Sequence, residues 1–182
     1  MDALLVMDMV NEYIYGEKPL IPIESREKLI KSIRKAIDLA HEKAVPVIYI
    51  NSAFIEGDPI LKIIGHRPQA MKGTKGAQTI AELKPTGKDY VLEKRGYDGF
   101  WKSGLDELLK KLNISDIYLT GQQTDCCVRE TGVTAAQMGF NVFIIEDCCS
   151  TSRELGQEAA IRFMKACVGK IINSDDLKWY DY

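Results

Sequence analysis

The chain has 182 residues, 46% of them hydrophobic, with 24 basic and 26 acidic residues and a formal net charge of -2. This length and hydrophobic content favour a single compact domain, residues 1–182, with one sizeable core. The near-neutral charge, without a basic cluster, argues against binding to nucleic acid or to a membrane surface.

The lack of a recognisable targeting signal and the spacing of the cysteines indicate the cellular compartment of the protein. No apolar stretch reaches the roughly 18 residues of a spanning helix, and the start of the chain lacks the basic segment of a secretory signal. The cysteines are Cys126, Cys127, Cys148, Cys149 and Cys167. An odd number in two adjacent pairs and a singleton suits neither a disulfide framework nor a Cys-x-x-Cys metal site. We therefore expect free thiols and a cytoplasmic protein.

Short apolar runs alternate with amphipathic segments along the chain. Strands are predicted at residues 3–7, 45–50, 90–92, 116–120, 142–145 and 168–172. Helices are predicted at residues 25–43, 105–112, 128–138 and 152–167. The stretch 51–88 is rich in glycine and proline and predicts long functional loops. The alternation predicts an α/β fold, a three-layer α/β/α arrangement with a mostly parallel central sheet of about six strands.

Chemically active side chains follow three of the predicted strands. Asp8 follows the first strand, Lys94 follows the third, and Cys126 and Cys127 lie just past the fourth, at a helix start. Sites in open parallel sheets lie at the carboxyl ends of the strands, so these groups are expected to meet. A thiol, a carboxylate and a cation are the parts of nucleophilic hydrolysis. Each also has an ordinary structural explanation as a buried thiol, a loop carboxylate or a solvated lysine.

The surroundings of the thiol are expected to favour attack on a carbonyl. A helix N-terminus and the ammonium of Lys94 predict a lowered thiol pKa. The backbone N–H groups of Gln123 and Cys127 are candidate donors to a developing oxyanion. Position alone does not decide whether Cys126 or Cys127 is the nucleophile.

Three segments together resemble the isochorismatase-like cysteine hydrolase superfamily, which includes nicotinamidases, N-carbamoylsarcosine amidases and ureido-group hydrolases. They are LLVMDMVN at residues 4–11, VLEKRGYDGF at 91–100 and LTGQQTDCCVR at 119–129. The resemblance covers nearly the whole chain and implies Asp8, Lys94 and Cys127 as catalytic residues, with Cys126 at a variable position. It also implies a non-proline cis peptide at Gln122-Gln123 and a homo-oligomer, either a dimer or a tetramer.

The chain departs from the metal-dependent members of the superfamily. Those members present an Asp-x-His after the second strand and a further histidine before the third. The corresponding places here hold Ser52, Phe54 and Gln69. We therefore expect no metal and no other cofactor. A substitute site formed by His66 with Asp58 or Glu56 is the alternative.

The resemblance implies an amidohydrolase of the N-carbamoylsarcosine amidase type. It would cleave a C–N bond of a small carbamoyl, ureido or amide substrate through an acyl-enzyme on Cys127. Isochorismate hydrolysis requires no cysteine nucleophile, so the retained Cys127 argues against it. The alternatives are a nicotinamidase with an atypical metal site and a non-catalytic binding protein on the same scaffold.

Further residues are candidates for contact with the small-molecule substrate. A carboxylate on the substrate needs a cation besides Lys94, and Arg95, Arg129 and Arg67 are candidates with bidentate geometry. An apolar pocket wall is predicted from Phe54, Tyr97, Phe100 and Trp101. Ordinary packing in the core or at an interface is the alternative for each aromatic residue.

Overall fold

The structure is a computed structural model that describes residues 1–179. The strands are β1 (Asp2–Met7), β2 (Val47–Ser52), β3 (Tyr90–Lys94), β4 (Asp116–Gln122), β5 (Asn141–Ser150) and β6 (Lys170–Ile172). Within the described range these six strands form one sheet in the order β3-β2-β1-β4-β5-β6, and every neighbouring pair is parallel. The carboxyl ends of all the strands therefore lie at one edge.

Helices connect the strands. They are α1 (Asn11–Tyr15), α2 (Arg26–Glu42), α3 (Pro59–Ile64), α4 (Leu105–Lys111), α5 (Arg129–Gln137) and α6 (Glu154–Cys167). A π-helical turn, Thr124–Val128, separates β4 from α5. In residues 1–179 no helix combines the length and the apolar composition needed to cross a membrane.

Side chains of β1 alternate between the two faces of the sheet, as the twofold repeat of a strand requires. Leu4 and Val6 pack in the cluster that contains the apolar face of α2. Leu5 and Met7 pack in the opposite cluster, with residues of α4, α5 and α6. Because both faces are covered, every residue of β1 is buried. The predicted three-layer α/β/α fold is confirmed.

The element bounds differ from the predictions in several places. The fifth strand was predicted at residues 142–145, but β5 runs from Asn141 to Ser150, because its far end pairs with β4 after a register shift. The short helix α3 forms within the stretch 51–88 that was predicted as loops. No element was predicted between the first strand and residue 25, but the short helix α1 forms there. Tyr13 and Ile14 are buried, so packing of their side chains stabilises this helix.

Gly121 lets β4 pass close to the end of β1. Its φ is +105°, and a Cβ built there would lie 2.1 Å from the carbonyl oxygen of Met7. No side chain fits into that space, and L-residues rarely adopt that φ. The glycine therefore brings the turn that follows β4 close to the residue that follows β1.

Candidate active site

Asp8, Lys94 and Cys127 come together at the carboxyl edge of the sheet, as the strand ends predicted. The Nζ of Lys94 lies 2.9 Å from Asp8 Oδ2 and 3.4 Å from Cys127 Sγ. The three residues are between 0% and 9% exposed. An ammonium, a carboxylate and a thiol thus share one nearly dry site, where electrostatic interactions are stronger than in water.

The Lys94 ammonium is fully surrounded by acceptors. Besides the carboxylate and the sulfur, it donates to Ser52 Oγ at 2.9 Å and to the Gly96 carbonyl at 2.8 Å. Sequence reasoning assigned no role to Ser52, although its place at the end of β2 met the strand-end criterion. These contacts hold the ammonium at a fixed point between Asp8 and Cys127.

The carboxylate of Asp8 is oriented by the neighbouring strand. Ser52 donates its backbone N–H to Oδ1 at 2.6 Å, and the N–H of Asp8 itself donates to the Ile50 carbonyl at 3.0 Å. Asp8 adopts a φ of +53°, which turns the chain sharply after β1. In the described residues Oδ2 accepts no hydrogen bond, and its ion-pair contact is with the Lys94 ammonium. This oxygen therefore retains capacity to take a proton.

The charge states follow from the surroundings. Burial disfavours a charged Lys94, but the Asp8 carboxylate and Cys127 outweigh it, so the pKa of the ammonium is raised. The pKa of the Cys127 thiol is also raised, because contact with the Cys126 thiol and burial together outweigh the effect of Lys94. The predicted lowering of the thiol pKa is therefore wrong in direction. At rest the site holds a neutral thiol beside an ion pair.

The turn that carries the thiol is a π-helical turn and not the helix start that was predicted. The N–H groups of Cys126 and Val128 both donate to the Gln123 carbonyl, at 3.0 and 3.2 Å. Thr131 Oγ1 donates to the Cys127 carbonyl at 2.7 Å. The peptide bond Gln122-Gln123 is cis, as expected. Thr131 was not found from the sequence, where it is one polar residue of a helix.

A cavity opens beside Cys127 and has a volume of about 40 Å³. Its lining consists of Asp8, Tyr13, Leu20, Ser52, Phe54, Ile64, Arg67, Pro68, Tyr97, Gln122, Gln123, Cys126 and Cys127. Drug-sized ligands occupy pockets of roughly 300–1,000 Å³, so this space suits only a compact group. Tyr13 was missed because it lies between the first predicted strand and the first predicted helix, where no element was predicted. Burial first and the Asp8 carboxylate second raise the pKa of its phenol, which stays neutral.

The predicted substrate contacts divide into two groups. Phe54, Tyr97 and Arg67 line the cavity, as does Gln123 of the predicted oxyanion pair. In the described part of the chain the lining does not include Arg95, Arg129, Phe100 or Trp101.

Each residue outside the lining has another environment. Arg95 Nε pairs with Asp58 Oδ1 at 2.9 Å, which lowers the pKa of that carboxyl. The guanidinium of Arg129 pairs with Glu130 at 2.7 Å. Phe100 stacks on Phe140 with ring centroids 6.4 Å apart. Trp101 is 57% exposed, with the Lys102 ammonium over its ring. The structure therefore does not bring these four side chains to the thiol.

The residues at the expected metal-ligand positions do not fit a metal ion. Ser52 Oγ already accepts a hydrogen bond from Lys94, and Phe54 offers no donor atom. The substitute site is also not formed, because Asp58 pairs with Arg95. Among the side chains that the structure describes, no three of His, Cys, Asp or Glu are grouped in a way that could hold a metal ion. Zinc and similar ions need three or four such ligands.

Comparison with known proteins shows which family and which proteins this chain is similar to. The family model for the isochorismatase domain matches residues 2–176. The structure of an N-carbamoylsarcosine amidase from Thermoplasma acidophilum superposes with a TM-score of 0.88 at 30% identity, covering 98% of this chain and 99% of that one.

Two curated proteins match over most of both lengths. A ureidoacrylate amidohydrolase, RutB, of Pseudomonas savastanoi pv. phaseolicola is 29% identical over 198 residues, covering 96% of this chain and 81% of that protein. Nicotinamidase 3 of Arabidopsis thaliana is 26% identical over 190 residues, covering 97% and 86%. These relatives carry different substrate names, so the matches indicate a type of hydrolase and not a single substrate.

Proposed function

The chain belongs to the isochorismatase family, and on that premise we propose that it is a cysteine-dependent amidohydrolase. Its substrate is a small carbamoyl, ureido or amide compound, and Asp8, Lys94 and Cys127 are its catalytic residues. The observation that carries the proposal is the contact of one buried ammonium with both the Asp8 carboxylate and the Cys127 thiol. Such a group links the proton acceptor to the nucleophile.

In the first half-reaction Asp8 Oδ2 takes the proton of the Cys127 thiol as the sulfur attacks the substrate carbonyl carbon. The C–S bond forms, and the carbonyl electron pair moves onto oxygen. When the intermediate collapses, the C–N bond breaks and the nitrogen takes the proton from Asp8, so ammonia leaves. The raised pKa of Cys127 supports this order, because thiolate forms only as the substrate reacts.

In the second half-reaction water cleaves the acyl-enzyme. Asp8 accepts a proton from the water as its oxygen attacks the carbonyl carbon, and the C–S bond then breaks. The proton returns to the sulfur of Cys127, which restores the neutral thiol. Lys94 remains protonated throughout, since the acceptors around it raise its pKa. Its charge stabilises whichever of the carboxylate and the thiolate is ionised.

We propose that the backbone N–H groups of Gln123 and Cys127 donate hydrogen bonds to the oxyanion that develops on the substrate. The N–H groups on either side of Cys127, those of Cys126 and Val128, already donate to the Gln123 carbonyl. They are therefore not available to a substrate oxygen. Preorganised donors of this kind typically contribute a factor of about 10²–10³ to the rate.

The size of the cavity and the names of the relatives favour a terminal carbamoyl group. A volume of about 40 Å³ beside the thiol suits a compact planar group. The relatives include an N-carbamoylsarcosine amidase and a ureidoacrylate amidohydrolase, whose names describe substrates with such a group. The absence of fitting metal ligands among the described residues sets this chain apart from the nicotinamidase alternative.

The test is ammonia release from a panel of ureido acids, primary amides and nicotinamide, with and without a chelator. We expect turnover of at least one carbamoyl compound, unaffected by chelation. Cys127→Ala should abolish turnover, whereas the matched variant Cys126→Ala should keep most of it and both should unfold cooperatively. Full activity of Cys127→Ala would refute the proposal. Turnover of nicotinamide alone, lost on chelation, would favour the nicotinamidase, and binding without turnover would favour a non-catalytic protein.

A further inference from the structure

Arg67 borders the cavity without an ionic partner. It lines the space beside Cys127, as do Ile64 and Tyr97. Among the side chains that the structure describes, its guanidinium makes no hydrogen bond and no ion pair, whereas those of Arg95 and Arg129 are paired with carboxylates. An unpaired arginine beside a ligand cavity is a ready partner for an anion.

The loop that carries Arg67 is held by its own backbone. The N–H of Gly65 donates to the Leu61 carbonyl at 2.9 Å, and that of Arg67 donates to the Ile64 carbonyl at 3.3 Å. The side chain of Gln69 reaches back to the Gly65 carbonyl at 2.8 Å. The backbone of the loop therefore continues from the end of α3 as a defined turn, which keeps residue 67 beside the cavity.

A second, larger cavity adjoins the first and carries positive charge. Its volume is about 300 Å³, and it shares Leu20, Arg67, Pro68 and Gln123 with the first cavity. Lys18, His66 and Arg153 also line it, and within the described chain its lining contains no carboxylate. Asp125 neutralises Arg153 at 2.8 Å, so Lys18 and Arg67 supply the uncompensated charge.

Two carboxylates lie near this region. Glu12 and Glu17 border a neighbouring groove that Lys18 and Arg67 also line. Neither glutamate forms an ion pair with Lys18 or Arg67 in the described structure, and neither lines the larger cavity. A bound anion would face two cations there.

We propose that Arg67, assisted by Lys18, is an anion subsite that holds a carboxylate at the end of the substrate remote from the scissile C–N bond. The carbamoyl group then occupies the small cavity at Cys127, and the rest of the substrate extends into the larger one. The substrate class is thus a ureido acid and not a neutral amide. This inference rests on the proposed function, which it narrows.

The guanidinium suits this role because its planar N–H groups match a carboxylate in two parallel hydrogen bonds. Arg67 is exposed and lines both cavities, so its guanidinium is open to a ligand that enters from solvent. A neutral substrate of equal length would leave the guanidinium without this partner.

The first test measures turnover of N-carbamoylglycine and of its methyl ester, which replaces the negative charge of the remote group by one methyl group. Arg67→Gln should reduce kcat/KM for the acid by about 10- to 100-fold, mainly through KM, and change that of the ester by no more than about twofold. The matched variant Arg129→Gln removes the same charge outside the cavity lining and should change neither. An equal loss for acid and ester would overturn the subsite, because it indicates a structural defect.

A second measurement is independent of turnover. Calorimetry of the Cys127→Ala variant should show at least about tenfold tighter binding of N-carbamoylglycine than of its ester, and Arg67→Gln added to it should remove the difference. Cys127→Ser replaces Cys127→Ala if the latter does not fold. Equal binding of acid and ester, or binding of neither, would overturn the subsite. A wild-type protein that binds the acid selectively but hydrolyses no carbamoyl compound would instead overturn the proposed function alone.

Discussion

The ammonium of Lys94 lies 2.9 Å from the carboxylate of Asp8, and neither side chain is more than 1% exposed. Removing two charges from water is costly, and only their mutual attraction and further hydrogen bonds offset it. Because the pair is already neutral overall, a third charge on the neighbouring sulfur is unfavourable. This relationship accounts for a thiol that stays protonated although it lies 3.4 Å from an ammonium.

Removing one charge of the buried ion pair should destabilise the fold more than removing both charges. Lys94→Met leaves the Asp8 carboxylate buried and unpaired, and we expect a loss of about 3–5 kcal/mol in the free energy of unfolding. The double variant Asp8→Asn/Lys94→Met removes both charges and should recover part of that loss. Urea denaturation at pH 7 measures the stabilities, and both variants should be inactive.

The exposed pair of Lys110 with Asp106 provides a control for this cycle. Its N–O distance is 3.8 Å and the lysine is 71% exposed. Lys110→Met should therefore change the free energy of unfolding by less than about 1 kcal/mol. The single variant Asp8→Asn completes the cycle. If the stability losses of Asp8→Asn and Lys94→Met added up to that of the double variant, the proposed coupling of the buried charges would be wrong.

Ser52 should matter for activity although it takes no part in the chemistry. Ser52→Ala removes one acceptor from the buried ammonium of Lys94. A hydrogen bond to a charged group contributes about 1.5–3 kcal/mol, so kcat should fall by roughly tenfold to 100-fold. The backbone N–H of residue 52 still donates to Asp8. Ser25→Ala, a serine outside the cavity lining, is the control, and equal effects of the two substitutions would contradict the prediction.

Gly121 should tolerate no side chain. Gly121→Ala places a methyl group 2.1 Å from the Met7 carbonyl oxygen at a φ of +105°. The clash adds to backbone strain of about 1–2 kcal/mol, so the total loss should exceed about 4 kcal/mol or prevent folding.

Gly139→Ala separates these two contributions. Its φ is +91°, but nothing lies within 4 Å of the added Cβ, so only the strain remains. Thermal unfolding of both variants measures the difference. A Gly121→Ala protein as stable as Gly139→Ala would show that β1 and β4 do not approach as closely as described.

The pH dependence of alkylation tests the charge state of the nucleophile. Thiolate is the reactive form, and a raised pKa means less thiolate at a given pH. The rate at which iodoacetamide alkylates Cys127 should therefore still rise with pH above pH 9, which corresponds to the ordinary pKa of a thiol. Because Cys126 is the largest cause of the raised pKa, Cys126→Ala should move the profile to lower pH. Mass spectrometry resolves the sites, and a plateau below pH 8 in the wild type would contradict this prediction.

Much of the fold was predictable from local patterns. An uninterrupted apolar run such as residues 3–7 and a repeat of about 3.6 residues such as that of residues 25–43 are both visible in one sequence. The cis peptide at Gln122-Gln123 was expected only through the resemblance. The helix α1 was not predictable, because five residues carry too little periodicity and its stability comes from burial.

The sequence by itself determined the parallel sheet, the edge at which a site would lie, and that Asp8, Lys94 and the cysteine pair would meet there, since chain direction places every strand end together. Only the tertiary structure decided the charge of Cys127, because burial and the contact with Cys126 outweigh the nearby ammonium. It also distinguished Arg67, which borders the cavity without an ionic partner, from Arg95 and Arg129, which form ion pairs with carboxylates. Charge and pairing depend on neighbours distant in the chain, and no local pattern encodes those distances.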